Sequence, residues 1–107
     1  MAETNKRLHG PAQVSNAAAT KYTVPAGTKT LVRHVHISNP SANAVTFTMS
    51  IGADAAAVRL FDAYSIPAGT VFDWFPFMII DATEIIQALA GTNNILVLEI
   101  FGTEYTL

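Results

Sequence analysis

TVPAGTKTLV (residues 23–32) and SIPAGTVFDW (residues 65–74) are two versions of one phrase. Each has a hydroxyl residue, a β-branched apolar residue, Pro-Ala-Gly-Thr, and then a strand-like run. Chemistry usually asks for one such site; a repeated element of a fold asks for two. Val24-Pro25-Ala26-Gly27 fits a type I turn, with Pro at the second position and Gly at the fourth. One glycine per copy, with no helix following, leaves no glycine-rich cradle for a phosphate. The two copies are therefore expected at matching corners of two sheets.

The pattern on both sides of these corners is β. After the first, LVRHVHIS alternates, with Leu31, Val35 and Ile37 on one face and Val32, His34, His36 and Ser38 on the other. Asn39-Pro40-Ser41-Ala42-Asn43 ends that run. Val45, Phe47, Met49 and Ile51 then alternate with Thr46, Thr48 and Ser50, an apolar face backed by a hydroxyl face. Gly52 to Ala57 reads as a loop, and Val58 to Ile66 as a strand that weakens along its length. Thr70 to Phe75 follows the second corner. Pro76 interrupts, so Phe77 to Ile80 reads as an edge or a separate short segment. Glu84 to Leu89, a hairpin loop at Gly91–Asn94, and Ile95 to Phe101 complete the set. Seven or eight short strands, with turns every 8–12 residues or so, are the mark of an antiparallel sandwich or barrel.

At 107 residues the chain is one domain. It has no cysteine, which excludes a disulfide framework and a thiolate metal site. MAETNKRLHG has no apolar run behind its charges, so no secretory signal is expected. No segment approaches the roughly 20 apolar residues of a membrane helix. A soluble protein made in a cytoplasm is the expectation. Residues 1–20 are small and polar, with Leu8 and Val14 the only large apolar side chains after Met1, and are expected to form an arm that a neighbour orders.

Charged residues make up only 13% of the chain, against about 25% in ordinary domains, so part of the surface is expected to be covered by other protein. The charges are also sorted. All six Lys and Arg lie in the first 60 residues, which sum to +4, and the remainder sums to −6. Such asymmetry favours head-to-tail contact between copies, unless strands of the two halves interleave and the charges mix. A net charge of −2 argues against nucleic-acid binding.

Candidate chemistry is thin. His34 and His36, at i and i+2 on a strand, share a face, an arrangement that zinc or iron accepts. A third ligand is needed, and no spacing ties His9, Glu84, Glu99 or Glu104 to the pair, so a polar strand face with no metal or other cofactor is expected. No serine sits in a Gly-x-Ser-x-Gly elbow. Asp73 and Asp81 look like turn and surface acids, so no catalytic residue and no enzyme is expected. In Phe72-Asp73-Trp74-Phe75-Pro76-Phe77, alternation separates Phe72 and Trp74 from Phe75 and Phe77. Aromatics on both faces imply a core and an interface. Exposed rings also stack on sugars, which keeps a carbohydrate- or receptor-binding module open.

From residue 21 onward the chain resembles a group of small phage virion proteins. The resemblance rests on Tyr22-Thr23-Val24-Pro25-Ala26-Gly27-Thr28, on ISNPSANAVTFTMSIG (residues 37–52), on the second Pro-Ala-Gly turn, and on the closing IIQALAGTNNILVLEIFG (residues 85–102). It implies a β-sandwich of jelly-roll or immunoglobulin-like type over residues 21–107, behind the arm at 1–20. It implies a virion structural protein that binds coat or tail subunits. The low charge and the apolar faces of Ile79-Ile80, Ile85-Ile86 and Leu96-Val97-Leu98 add the expectation of a homotrimer, and the charge balance and the lack of a long apolar run that of no nucleic-acid or membrane partner. A capsid decoration (cement) protein leads, and a neck, baseplate or tail-fibre accessory protein is the alternative. The interface residues expected are Lys6, Arg7, Leu8, Val14, Trp74, Phe75 and Phe77, with Lys6 and Arg7 near Glu99 or Glu104 of an adjacent copy.

Overall fold

The cleanest alternation in the sequence forms the centre of one sheet. In the computed structural model, which describes residues 2–106, Val45–Ile51 is a strand with Val45, Phe47 and Met49 fully buried. The strands in chain order are β1 (Ala2–Gln13), β2 (Ala19–Thr23), β3 (Thr28–Ser38), β4 (Val45–Ile51), β5 (Arg59–Ile66), β6 (Val71–Trp74), β7 (Met78–Ile80), β8 (Ile85–Ala90) and β9 (Val97–Thr106). Among the described residues the only helical element is a single 3-10 turn at Ala56–Val58, and no helix is long and apolar enough to cross a membrane.

Two antiparallel sheets face each other. The front sheet has the order β1-β9-β3-β6, with β7 also paired to β3, and the back sheet the order β2-β8-β4-β5. The pairs are nested like one long hairpin: β4 with β5, β3 with β6, β2 with β8, β1 with β9. Rolling such a hairpin sends successive strands to opposite sheets and gives the jelly roll, which selects between the two sandwich types that the sequence left open. Buried side chains from both sheets, among them Val35, Ile37, Leu98 and Ile100 in front and Phe47, Met49 and Ile86 behind, fill one continuous core.

Both repeated corners make the same move. The first links β2 to β3 and the second β5 to β6, each stepping from the back sheet to the front. Their turn residues are Ala26–Gly27 and Ala68–Gly69, and the glycines have φ of +68° and +67°. Gly is thus at the third turn position, where positive φ is needed, and not at the fourth position of the expected type I turn. A Cβ there would meet nothing, so backbone conformation alone demands glycine. The second corner is strapped to the end of β3 by buried Asn39. Its Nδ2 donates to the carbonyls of Asn43 and Ile66, both at 2.9 Å, and its Oδ1 accepts from Ser41 N at 3.1 Å.

Two expectations need correction. Residues 2–13 are not an arm lying apart from the sandwich: they pair along β9, from Ala2 opposite Thr106 to Gln13 opposite Val97. Leu8 and Val14 point into the core. An edge strand with one solvated face needs few apolar residues, and irregularities around Leu8 and at Gly10-Pro11 blur its period. The first and last residues of the expected segments, Met1 and Leu107, lie outside the described residues. The faces of β3 also switch midway. Val32 pairs with Gly102 and His34 with Phe101, leaving Arg33 as the extra residue of a bulge. Val32 therefore joins Val35 and Ile37 in the core, whereas Leu31 is buried outside the core cluster.

Candidate functional site

Beyond the Arg33 bulge, the inward turn of Val35 and Ile37 puts His34 and His36 on the outer face of the front sheet. On β6, Phe72 and Trp74 turn inward, so Asp73 between them must turn out. The register sets Asp73 directly opposite His36. His34 Nε2 and His36 Nδ1 both donate to one oxygen, Asp73 Oδ1, at 2.8 and 2.5 Å. Hydrogen bonds from His36 and then His34 hold the Asp73 carboxyl below the usual carboxylate range. All three side chains are partly exposed. The three ligand-capable atoms lie within 4.8 Å of one another.

The rest of the outer face frames this triad. His34 stacks on Phe75, with ring centroids 4.4 Å apart and planes 13° from parallel, and on Phe101 at 5.4 Å. Glu99 stands opposite His36 on the other side of β3. Toward β1, Arg33 Nε donates to Thr103 Oγ1 at 3.1 Å, and Thr103 Oγ1 to Asn5 Oδ1 at 2.6 Å. A shallow depression lined by Glu3, Asn5, Lys6, Arg33 and Phe101 adjoins them. At the far edge the face becomes apolar: Phe75 is 72% exposed, Phe77 79% and Ile79 61%.

The residues expected at an interface separate into two groups. Lys6 pairs with Glu104 of its own chain at 3.3 Å, not of a neighbour, because β1 and β9 are adjacent. Leu8 and Val14 are core residues. Trp74 is half-buried and packs on the core, edge-to-face with Phe61 at 4.9 Å. Arg7, Phe75 and Phe77 are exposed. The sorted charges also mix within the chain. Lys29 meets Asp81 at 2.5 Å, and Arg59 meets Asp54 and Asp62, both at 2.9 Å.

The sequence left the histidine pair without a third ligand, and Asp73 fills that place. Spacing could not reveal it, because β3–β6 register depends on the second corner. The one available signal was an acid between Phe72 and Trp74, two apolar residues that alternation assigns to a single face. A second group was also missed. Tyr22 Oη donates to Glu104 and lies 2.7 Å from Thr30 Oγ1, closing one end of the core. Burial and the hydrogen bond to Glu104 push the Tyr22 hydroxyl well above its ordinary pKa.

No family model matches the chain, and no curated protein does. Solved structures do share its shape. A chain from the Bacillus endospore appendages, described as a novel family of disulfide-linked pili, superposes with a TM-score of 0.58 at 8% identity, over 98% of this chain and 88% of that one. A chain from the Gx strain of infectious bursal disease virus superposes with a TM-score of 0.46 at 9% identity, over 96% of this chain and 31% of that one. The first likeness is one of fold.

Proposed function

We propose that the chain is a structural subunit of a phage virion, and specifically a capsid decoration protein that self-associates as a homotrimer and attaches to the coat. The observation that carries this reading is the apolar strip of Phe75, Phe77 and Ile79 at the β6–β7 edge. Monomeric proteins keep such contiguous patches small, and larger ones are interaction sites. The two edges of the front sheet differ in character. A heterologous contact, in which this strip meets a different surface of the next copy and the ring closes, fits that asymmetry better than a self-complementary one. The fold is compatible with the reading but common to many functions. The disulfide linkage of the similar pili has no counterpart here, since the chain has no cysteine. No nucleophile–base pair forms an active site in this reading, and the expected setting is the virion.

The test combines light scattering with co-sedimentation on purified shells and tails. The expected result is a trimer that sediments with shells, and a monomer that does not after Phe75→Ser and Phe77→Ser. A wild-type monomer that attaches to neither particle would overturn the reading. Attachment to tails alone would replace the decoration role with a neck, baseplate or tail-fibre one.

A further inference from the structure

We infer that His34, His36 and Asp73 form a binding site for one divalent first-row transition metal, of which zinc is the natural probe. Two imidazoles and one carboxylate on one face, with open positions beyond them, are the donor set that suits zinc, iron, nickel and copper, and not calcium or magnesium. The three groups come from two adjacent strands of a sheet, with β3 supplying i and i+2 and β6 the residue directly across. Their positions are thus fixed by backbone pairing and not by a loop. The stack of Phe75 and Phe101 on His34 fixes that ring further. Glu99, opposite His36 across the other ladder, puts a second carboxylate beside the site.

As the site stands, protons hold it together. Asp73 Oδ1 accepts from both rings at 2.8 and 2.5 Å. Donors bound to one tetrahedral zinc, with metal–nitrogen distances of about 2.0–2.1 Å, sit roughly 3.3–3.4 Å apart. Metal entry therefore displaces the two shared protons and pushes the carboxylate back by less than about an ångström. It also draws together ring nitrogens that now lie within 4.8 Å. Both histidines must be neutral when they bind. His34 then ligates through Nε2 and keeps its proton on Nδ1, while His36 ligates through Nδ1 and keeps its proton on Nε2. These opposite tautomers follow from which nitrogen of each ring faces Asp73, and they are a signature that a nonspecific histidine contact would lack.

The experiment titrates the full-length apo protein with zinc, by calorimetry and by nitrogen NMR of the imidazoles. The variants are His34→Gln, His36→Gln, Asp73→Asn and, as a control, His9→Gln. We expect one zinc per chain, the two opposite tautomers in the bound form, and a loss of affinity in each of the three site variants. That loss should be no smaller than the roughly 10–100-fold seen when support to a metal ligand is removed. His9→Gln should bind as the wild type does, and circular dichroism should show all four variants folded. No uptake by folded wild-type protein with zinc in excess overturns the inference. So does binding that survives His34→Gln and His36→Gln, or that disappears in His9→Gln. The zinc titration and the sedimentation test read different properties, so failure here leaves the virion reading standing, and failure of that reading leaves this one.

Discussion

The front sheet has two edges, and they are built for different ends. At β1 the strand is mostly solvated but tied to its own chain: Leu8 enters the core, Lys6 meets Glu104, and Asn5 accepts from Thr103. Beside β6 and β7, Phe75, Phe77 and Ile79 stay largely exposed, with Phe75 resting on His34. Read as sequence, both edges are expected to make contacts, the first as a polar arm poor in anchors and the second through its aromatics. The structure separates them: Leu8 and Val14 enter the core, whereas Phe75 and Phe77 stay exposed. A segment with two large apolar side chains can be an integral strand if both face the core. An aromatic-rich strand can leave half its rings in water.

The largest effect that would break this comparison is at Leu8. Leu8→Ala should cost about 2–5 kcal/mol, the range for emptying a buried leucine site. If an unfolding titration shows a loss well below 1 kcal/mol, β1 is dispensable and the older picture of a detached arm returns. Next comes Asn39, which ties the second corner and hence β6 to the end of β3. Asn39→Ala leaves buried carbonyls of Ile66 and its neighbours without donors, at about 1–3 kcal/mol. A smaller loss would mean that β6 is held by its ladder alone.

A sharper test of Glu104, the residue that Lys6 of β1 also meets, uses pH. The hydroxyl of Tyr22, ordinarily titrating at 10.0, is raised in the folded chain, first by burial and then by its bond to Glu104. A raised folded value means that the unfolded chain loses its proton first. The contribution is therefore complete below pH 10 and is lost as pH climbs above it. Tyr22→Phe should lower stability at neutral pH by about 0.5–1.5 kcal/mol, as for one ordinary hydrogen bond. It should also flatten the alkaline decline in unfolding midpoint. An equally steep decline in the variant would place the alkaline-sensitive group elsewhere. The smallest effect belongs to the other edge. Phe77→Ser should change the stability of the isolated subunit by no more than about 0.5 kcal/mol, while weakening association. A large stability loss in a monomer would show that Phe77 packs within its own chain.

How much of this could be read in the sequence depends on how local the signal is. The β4 alternation and the closing strands rest on period, which survives into the fold; the repeated corners recur as corners with their glycines at the third turn position, and the loop at Gly91–Asn94 joins strands of opposite sheets and not the expected hairpin. Period failed where a residue is inserted without a mark. Nothing at Arg33 announces the bulge that reverses Leu31 and Val32. Period also failed at β1, where an edge strand needs little apolar content. The candidate site was half legible. Two histidines at i and i+2 are visible in one segment, whereas Asp73 reaches them only through the pairing of β3 with β6. Lys6 and Glu104 were legible as partners by charge, but only the closure of β1 on β9 makes them partners within one chain.

The nested order of the strands also grades the entropy of closing each pair. Sequence separation grows from the β4–β5 hairpin outward to β1–β9, which joins residues as far apart as Ala2 and Thr106. Closing a longer loop costs more entropy, and non-local pairing slows folding. During synthesis β1 emerges before the other eight strands, and its partner β9 after all of them. Throughout that interval its backbone donors and acceptors have no partner in the chain, and Leu8 has no core to enter. The strand whose partner lies furthest away along the chain is thus the one that waits longest to be paired.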